Sequence, residues 1–282
     1  AEWLALHGTK RVVLASRSAK VSDDHKELWA AIADTQAAVE LCQCDVGSDP
    51  QVLSSHRFLT DGAPFGIAHL AGCLHDGLFM RQNREILDMS MRPKVDGAAL
   101  LMEALRASPS KAALQMQHLW LFSSVTSCMG NFGQTAYGAA SSALDAMAQA
   151  WSPGHARGPV RGAAMALQWG PWAGFGMAAN LSSSSTSSFK LWQRGQAFGA
   201  LEAVLRKKNP QPQPAIVCLT RFDWANMSEE LRAGGSTYHQ HFFEQLVQPY
   251  STEKKQQQQL VPVLPDMRVI VMESLQRFLP NG

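Results

Sequence analysis

Six short apolar runs, separated by longer segments of helix-forming composition, constrain this 282-residue chain more than any other feature. The runs lie at 11–15, 39–44, 66–70, 119–122, 163–167 and 215–219. Apart from 39–44, which Glu40 and Gln43 interrupt, they are mostly apolar rather than alternating, which is how strands read when both faces of a sheet are covered. The segments 24–37, 81–106, 137–151 and 191–206 are long enough to be crossover helices joining parallel strands. The expected fold class is therefore α/β, a doubly wound parallel sheet. With 46% hydrophobic and 17% charged residues, the chain can bury one substantial core.

In such sheets ligands bind outside the carboxyl ends of the strands, so the residues just after each run are the candidates. After the first come Ser16 and Arg17. An acid at this place would hold a ribose hydroxyl, whereas an Arg accommodates a 2′-phosphate, which favours NADP(H) over NAD(H). Taken alone, Arg17 is more often a solvated charge in a turn. After the second run, Asp45 precedes Val46, and its carboxylate could accept from an adenine amino group or cap the next helix. His69 ends the third run as a structural histidine, and Ala71 and Gly72 beyond it are small enough to admit a ribose close to the backbone. The fifth leads into Trp169-Gly170-Pro171-Trp172.

The fourth run is the most informative. It ends in Ser123 and Ser124, and Tyr137 follows Ser124 by thirteen residues, after a loop containing Gly133 and at the start of an Ala-rich helix. That order places a phenol beside a serine hydroxyl at the carboxyl edge of a sheet. The chemistry is that of an acid positioned to protonate a carbonyl oxygen.

Charge and cysteine usage exclude several classes. The net charge is +2 with scattered basic residues, which argues against a nucleic-acid partner. The five cysteines include Cys42 and Cys44 on one face of a strand, and they read as small buried hydrophobes in a reducing compartment, so no metal is expected. No apolar run is long enough for a membrane span, no secretory signal is present, and a cytoplasmic location is expected. The first residue is Ala1, which suggests a piece of a longer chain.

Several motifs together resemble one family. They are Arg17 in Leu-Ala-Ser-Arg-Ser, the stretch from His69 to Leu78, Pro93-Lys94-Val95-Asp96-Gly97, residues 121–124, Gly133 to Tyr137, and Gln168 to Gly174. They are similar to the ketoreductase domain of type I polyketide synthases, a Rossmann-like branch of the short-chain dehydrogenase/reductases shared with animal-type fatty acid synthases. The likeness runs from Ala1 to about Met227.

The resemblance implies NADPH-dependent reduction of a β-ketoacyl thioester held on the phosphopantetheine arm of an acyl carrier protein, among neighbouring synthase domains. It implies Tyr137 as proton donor, Ser124 as the second hydrogen bond to the carbonyl oxygen, and Lys94 as the cation that lowers the phenol's pKa and steadies the nicotinamide ribose. Ser16, Arg17, Asp45, Val46, Ala71, Gly72 and Pro171 are then cofactor contacts. Asp76 goes with the (3R), B-type alcohol, as does Met129, which is not Trp, eight residues before Tyr137.

Two departures stand against this. Ser141 occupies the catalytic position where the family has Asn, and offers one hydroxyl in place of a carbonyl and an NH₂. The family's first strand and Gly-rich turn would precede Ala1, so the reading expects a sheet short of one strand and weak NADPH binding. The expected layout is a reductase domain over 1–227, a tail and Gln-rich linker over 228–261, and a helical segment over 262–282 that begins a carrier or docking domain. The Ser-rich stretch 181–188 is either a lid or an exposed insertion. The alternatives are a catalytically impaired structural domain and a stand-alone dehydrogenase; the second is disfavoured because Lys does not follow Tyr137 by four residues.

Overall fold

The computed structural model describes residues 1–48, 53–60, 64–107, 116–152, 163–174, 176–178, 188–205, 214–224 and 226–227. Its strands are β1 (Arg11–Ser16), β2 (Ala38–Gln43), β3 (Gly66–His69), β4 (His118–Ser124), β5 (Ala163–Trp169), β6 (Phe189–Lys190), β7 (Ile216–Leu219) and β8 (Arg221–Phe222). All six expected strands form within two residues of their expected bounds. They are joined into β1-β2 and β3-β4-β5-β7, with β6-β8 as an additional pair. The expected parallel α/β architecture is present, with β1-β2 as a sheet of its own instead of part of one six-stranded sheet. The Ser108–Lys111 insertion, the Ser-rich stretch except Ser188, and everything beyond Met227 lie outside the described residues.

The chain divides into two compact units. The first comprises Ala1–Gly72, Met91–Trp120 and Ala150–Ala164. Here β1 and β2 run parallel, Arg11 beside Ala38 through Ser16 beside Gln43. These two strands are less buried than their apolar runs predict: in β2 only Val39 and Cys42 are even partly covered, and Leu41 is 40% exposed. Their polar side chains suit that exposure, with Arg11 Nε 2.8 Å from Glu40 Oε1 across the pair. The core of this unit is the helix Gly97–Ala107, which buries Ala98, Leu101, Met102, Ala104 and Leu105.

The expected single helix over 81–106 is instead a helix Arg84–Met91, a π turn Arg92–Asp96 and the helix Gly97–Ala107. Pro93 explains the break, because it has no N–H to give the carbonyl of Met89 and its ring crowds that carbonyl. The Cys73 thiol donates to Met89 O instead, at 2.9 Å. Widening by one residue is the usual form of a π bulge, which is common at functional sites.

The second unit comprises Cys73–Ser90, Leu121–Gln149 and Met165–Gly282. Its axis is the helix Thr135–Trp151, on which Ala136, Ala140, Leu144 and Ala148 recur every fourth residue and are buried. The small side chains let the helix lie close to its neighbours. β5 and β7 pair in parallel from Ala166 beside Ile216 to Trp169 beside Leu219, and Gly170 continues the approach: a Cβ there would stand 3.0 Å from Thr220 Cγ2. Among the described residues no helix is long and apolar enough to cross a membrane, and no cluster could hold a metal ion.

Two histidines of the first unit make its stability pH-dependent. Burial lowers the pKa of His69, whose Nε2 contacts Lys94 O at 2.9 Å, and also that of His118. Folding therefore favours the neutral rings. The unfolded chain takes up protons first as pH falls below about 6.5, so stability present above that value is lost through the lowered folded pKa values. Urea unfolding at about pH 7.5 and about pH 5.5 should show a lower midpoint in acid, and His118→Phe should reduce the difference.

Candidate active site

Each unit presents its own group of candidate residues. In the first, the β1-β2 register brings two of them to adjoining strand ends: Ser16 stands beside Gln43, and Cys44 N donates to Ser16 O at 2.9 Å. The exposed Arg17 follows one strand and the exposed Asp45 follows the other. Ser16 Oγ accepts from Ala19 N at 3.1 Å, holding Arg17 in a tight turn in which Ala19 has φ +49°. Asp45 Oδ1 accepts from Gly47 N at 2.9 Å, an Asx turn rather than a helix cap, and Val46 packs so closely that a Cβ on Gly97 would lie 2.8 Å from its Cγ2. A guanidinium and a carboxylate on neighbouring strand ends suit an adenosine bearing a 2′-phosphate.

Lys94 lies in the π turn and is only 2% exposed. Its stem occupies the space that the absent side chain of Gly72 leaves: a Cβ there would stand 3.1 Å from Lys94 Cε. The smallness of Gly72 thus serves the lysine directly. Ala71 beside it is half-buried.

In the second unit, Ser124 and Tyr137 meet. Both are buried, at 7% and 8% exposure, and their hydroxyls are hydrogen-bonded. Ser124 Oγ also accepts from Thr126 N at 3.2 Å, which fixes it at the end of β4. Burial raises the pKa of Tyr137, with the Asp76 carboxylate adding to the rise and the Ser124 hydrogen bond opposing it. The sequence led us to expect a lowered value; desolvation of the phenolate outweighs that expectation. Asp76 itself is exposed, and its Oδ2 accepts from Gln134 Nε2 at 3.0 Å.

Ser141 stands one turn beyond Tyr137 and is fully buried, with no hydrogen-bond partner for its Oγ among the described residues. Its carbonyl accepts from Ser123 Oγ at 3.1 Å. The neighbouring Ser142 is turned elsewhere and donates to Ser127 O at 3.1 Å. Pro171 lies at the end of β5, where its carbonyl accepts from Trp192 N at 2.8 Å.

Residues 1–174 match the KR domain family. The chain belongs to the ketoreductase (KR) domain family. Its relatives are type I polyketide synthases. The phenolphthiocerol synthesis polyketide synthase type I Pks15/1 of Mycobacterium marinum is 32% identical over 82% of this chain and 11% of its own length. Erythronolide synthase EryA2 of Saccharopolyspora erythraea is 35% identical over 59% of this chain and 4% of its own. The first ketoreductase of the tylosin PKS superposes with a TM-score of 0.65 at 26% identity, over 82% of this chain and 48% of that one. This KR domain sequence therefore spans a small part of the synthases it matches.

Two glutamines of the KR domain, marked in the sequence only as members of the motifs 133–137 and 168–174, organise the second unit. Gln134 links Asp76 to the loop before Tyr137, accepting in turn from Asn131 Nδ2 at 2.9 Å. Gln168, on β5, donates from Nε2 to Asp145 Oδ2 at 2.7 Å and to Ser127 Oγ at 2.9 Å. Asp145 lies two turns after Tyr137 on the same face of its helix, so this amide ties β5 both to that helix and to the segment after Ser124. In the sequence Gln168 opens the motif that runs to Gly174 and is a polar residue just after an apolar run, but nothing there marks Asp145 as its partner. Removing the amide takes the 2.7 Å donor from a buried carboxylate. Gln168→Leu should lower the unfolding free energy by about 2–3 kcal/mol in urea titration, because lost hydrogen bonds to buried charge cost on that scale.

Proposed function

We propose that this KR domain reduces the β-keto group of an acyl thioester to a β-hydroxyl, with NADPH as the cofactor and the acyl group carried on the phosphopantetheine arm of an acyl carrier protein. The observation that carries the reading is the hydrogen-bonded pair of buried hydroxyls, Ser124 and Tyr137. NADPH supplies, when bound, the hydride that reaches the carbonyl carbon. Negative charge then grows on the carbonyl oxygen. Ser124 donates a hydrogen bond to that oxygen, and Tyr137 gives it the phenolic proton. An alkoxide is far more basic than a phenolate, so a phenol with a raised pKa still transfers its proton readily.

In the same reading, Arg17 holds the 2′-phosphate through charge-assisted hydrogen bonds and Ser16 supports its turn. Asp45 and Val46 hold the adenine end, Ala71, Gly72 and Pro171 line the cofactor path, and Lys94 steadies the nicotinamide ribose. Asp76, fixed by Gln134, selects the hydride face that gives the (3R) alcohol. The proposed layout places the reductase over 1–227, a linker over 228–261 and the start of a carrier or docking segment over 262–282. The setting is a multidomain, cytoplasmic synthase whose neighbouring domains supply and receive the acyl chain.

One observation favours a second reading, a structural domain with impaired catalysis: the buried Ser141 Oγ has no hydrogen-bond partner among the described residues, one helical turn from the proton donor. Activity separates the two. In the full-length protein, Tyr137→Phe should lower turnover of a β-ketoacyl thioester about a hundred- to ten-thousand-fold, the usual worth of a positioned proton donor, while NADPH affinity measured by fluorescence is retained. Wild-type protein that oxidises no NADPH under these conditions would establish the structural reading. The raised Tyr137 pKa keeps the phenol protonated through neutral pH, so reduction should stay level into the alkaline range and decline only above about pH 10.

The cofactor assignment has its own test. Arg17→Ser should weaken NADPH binding about ten- to a hundredfold, as loss of charge-assisted hydrogen bonds does, with little change for NADH. Equal weakening of both would place Arg17 away from the 2′-phosphate.

A further inference from the structure

The π turn Arg92–Asp96 of the first unit carries a second basic residue besides Lys94. Arg92 opens the turn and is exposed, whereas Lys94 is buried. The Arg92 guanidinium lies over the turn that follows β2: a Cβ on Gly47 would stand 3.3 Å from its Nε and 3.8 Å from its Nη2. The same Cβ would stand 3.4 Å from Asp45 Oδ1, so a guanidinium and a carboxylate flank one glycine. Asp45 Oδ1 accepts from Gly47 N at 2.9 Å, and among the described residues no hydrogen bond or ion pair engages the Arg92 side chain. The two segments are also held to each other. Val46 Cγ2 would meet a Cβ on Gly97 at 2.8 Å, and Gly97 is the residue that follows the π turn.

We propose that Arg92 is a cofactor-binding residue whose guanidinium plane stacks on the adenine ring of NADPH while Asp45 accepts from the adenine amino group. The inference rests on the reductase reading and adds to it a residue that fixes the adenosine end. Whatever binds at Gly47 must suit a carboxylate and a guanidinium at once. A phosphate does not, because the carboxylate repels it. A neutral planar base does: its amino group donates to Asp45, and its π face receives the guanidinium, a contact for which the flat, weakly hydrated arginine head is suited and the ammonium of lysine less so. The 2′-phosphate has its own cation in Arg17, at the end of β1. One five-residue turn then holds the cofactor at two places, the adenine through Arg92 and the nicotinamide ribose through Lys94 two residues later.

The test is fluorescence titration of the full-length protein with NADPH, NADH and reduced nicotinamide mononucleotide, for the wild type and for Arg92→Ala, Arg92→Lys and Arg92→Tyr. Arg92→Ala should weaken NADPH and NADH about tenfold each, the scale of one stacking contact, because both carry adenine. Arg92→Tyr, planar but uncharged, should recover most of the loss; Arg92→Lys, charged but not planar, should recover little. Unchanged affinity in Arg92→Ala overturns the proposal. Recovery by Arg92→Lys in place of Arg92→Tyr, or by neither, overturns it too, since stacking is then not what the residue supplies. So does an equal loss for the mononucleotide, which lacks adenosine and would report a distorted π turn. If the wild type binds none of the three, the reductase reading has failed on its own. Calorimetric titration with adenosine 2′,5′-bisphosphate then decides Arg92: weaker binding to Arg92→Ala supports the assignment, and equal or absent binding overturns it.

Discussion

Burying the ammonium of Lys94, 2% exposed, is the most demanding physical requirement among the described residues. A charge taken from water is tolerated only with compensating partners and a closely fitted surround. Much of the local sequence can be understood as meeting that requirement. Pro93 stops the preceding helix from continuing regularly, the π turn Arg92–Asp96 reorients the backbone, and Gly72 leaves the space that the lysine stem fills. His69 contacts the carbonyl of Lys94 as a buried ring whose neutral form is favoured. A Cβ at 72 would press on the lysine stem at 3.1 Å from Cε and make it give by a few tenths of an ångström; one at 97 would collide with Val46 Cγ2 at 2.8 Å.

The second unit handles its buried polarity differently. Three residues at four-residue spacing on one helix, Tyr137, Ser141 and Asp145, are all withdrawn from water. Tyr137 is answered by Ser124 and Asp145 by Gln168, while the Ser141 hydroxyl has no partner among the described residues. Low local polarity makes each satisfied pair stronger and each unsatisfied group more costly. The same desolvation raises the phenol of Tyr137 and the thiol of Cys218, the latter to about 11, so neither ionises near neutral pH. For a thiol that means inertness; for a phenol it means a proton held ready for a stronger base.

Much of this was legible in the residues. The six apolar runs marked six strands because a covered strand has few sequence solutions, and the order Ser124, Gly133, Tyr137 marked a hydroxyl pair because strand end, turn and helix start are local features. The exposure of β2 was not legible, since an apolar run records what a strand can tolerate and not what covers it. The break at Pro93 was readable in principle. Its π form was not, nor was the Cys73 thiol that reaches the Met89 carbonyl from sixteen residues away. The partners of Gln134 and Gln168 were not legible for the same reason: a glutamine has no periodicity, and its meaning lies in the residue it reaches.

By itself the sequence determined the α/β class, the placement of the strands, the family and the chemical types gathered at the strand ends. These follow from periodicity, from local turn chemistry and from residue identity. Only the tertiary structure decided that Gly72 makes room for Lys94, that Asp45 closes an Asx turn, that burial raises Tyr137, and that Phe132 stands in water. Each of these depends on desolvation or on contact between residues far apart in the chain. Both are properties of packing, which a linear order of side chains does not contain.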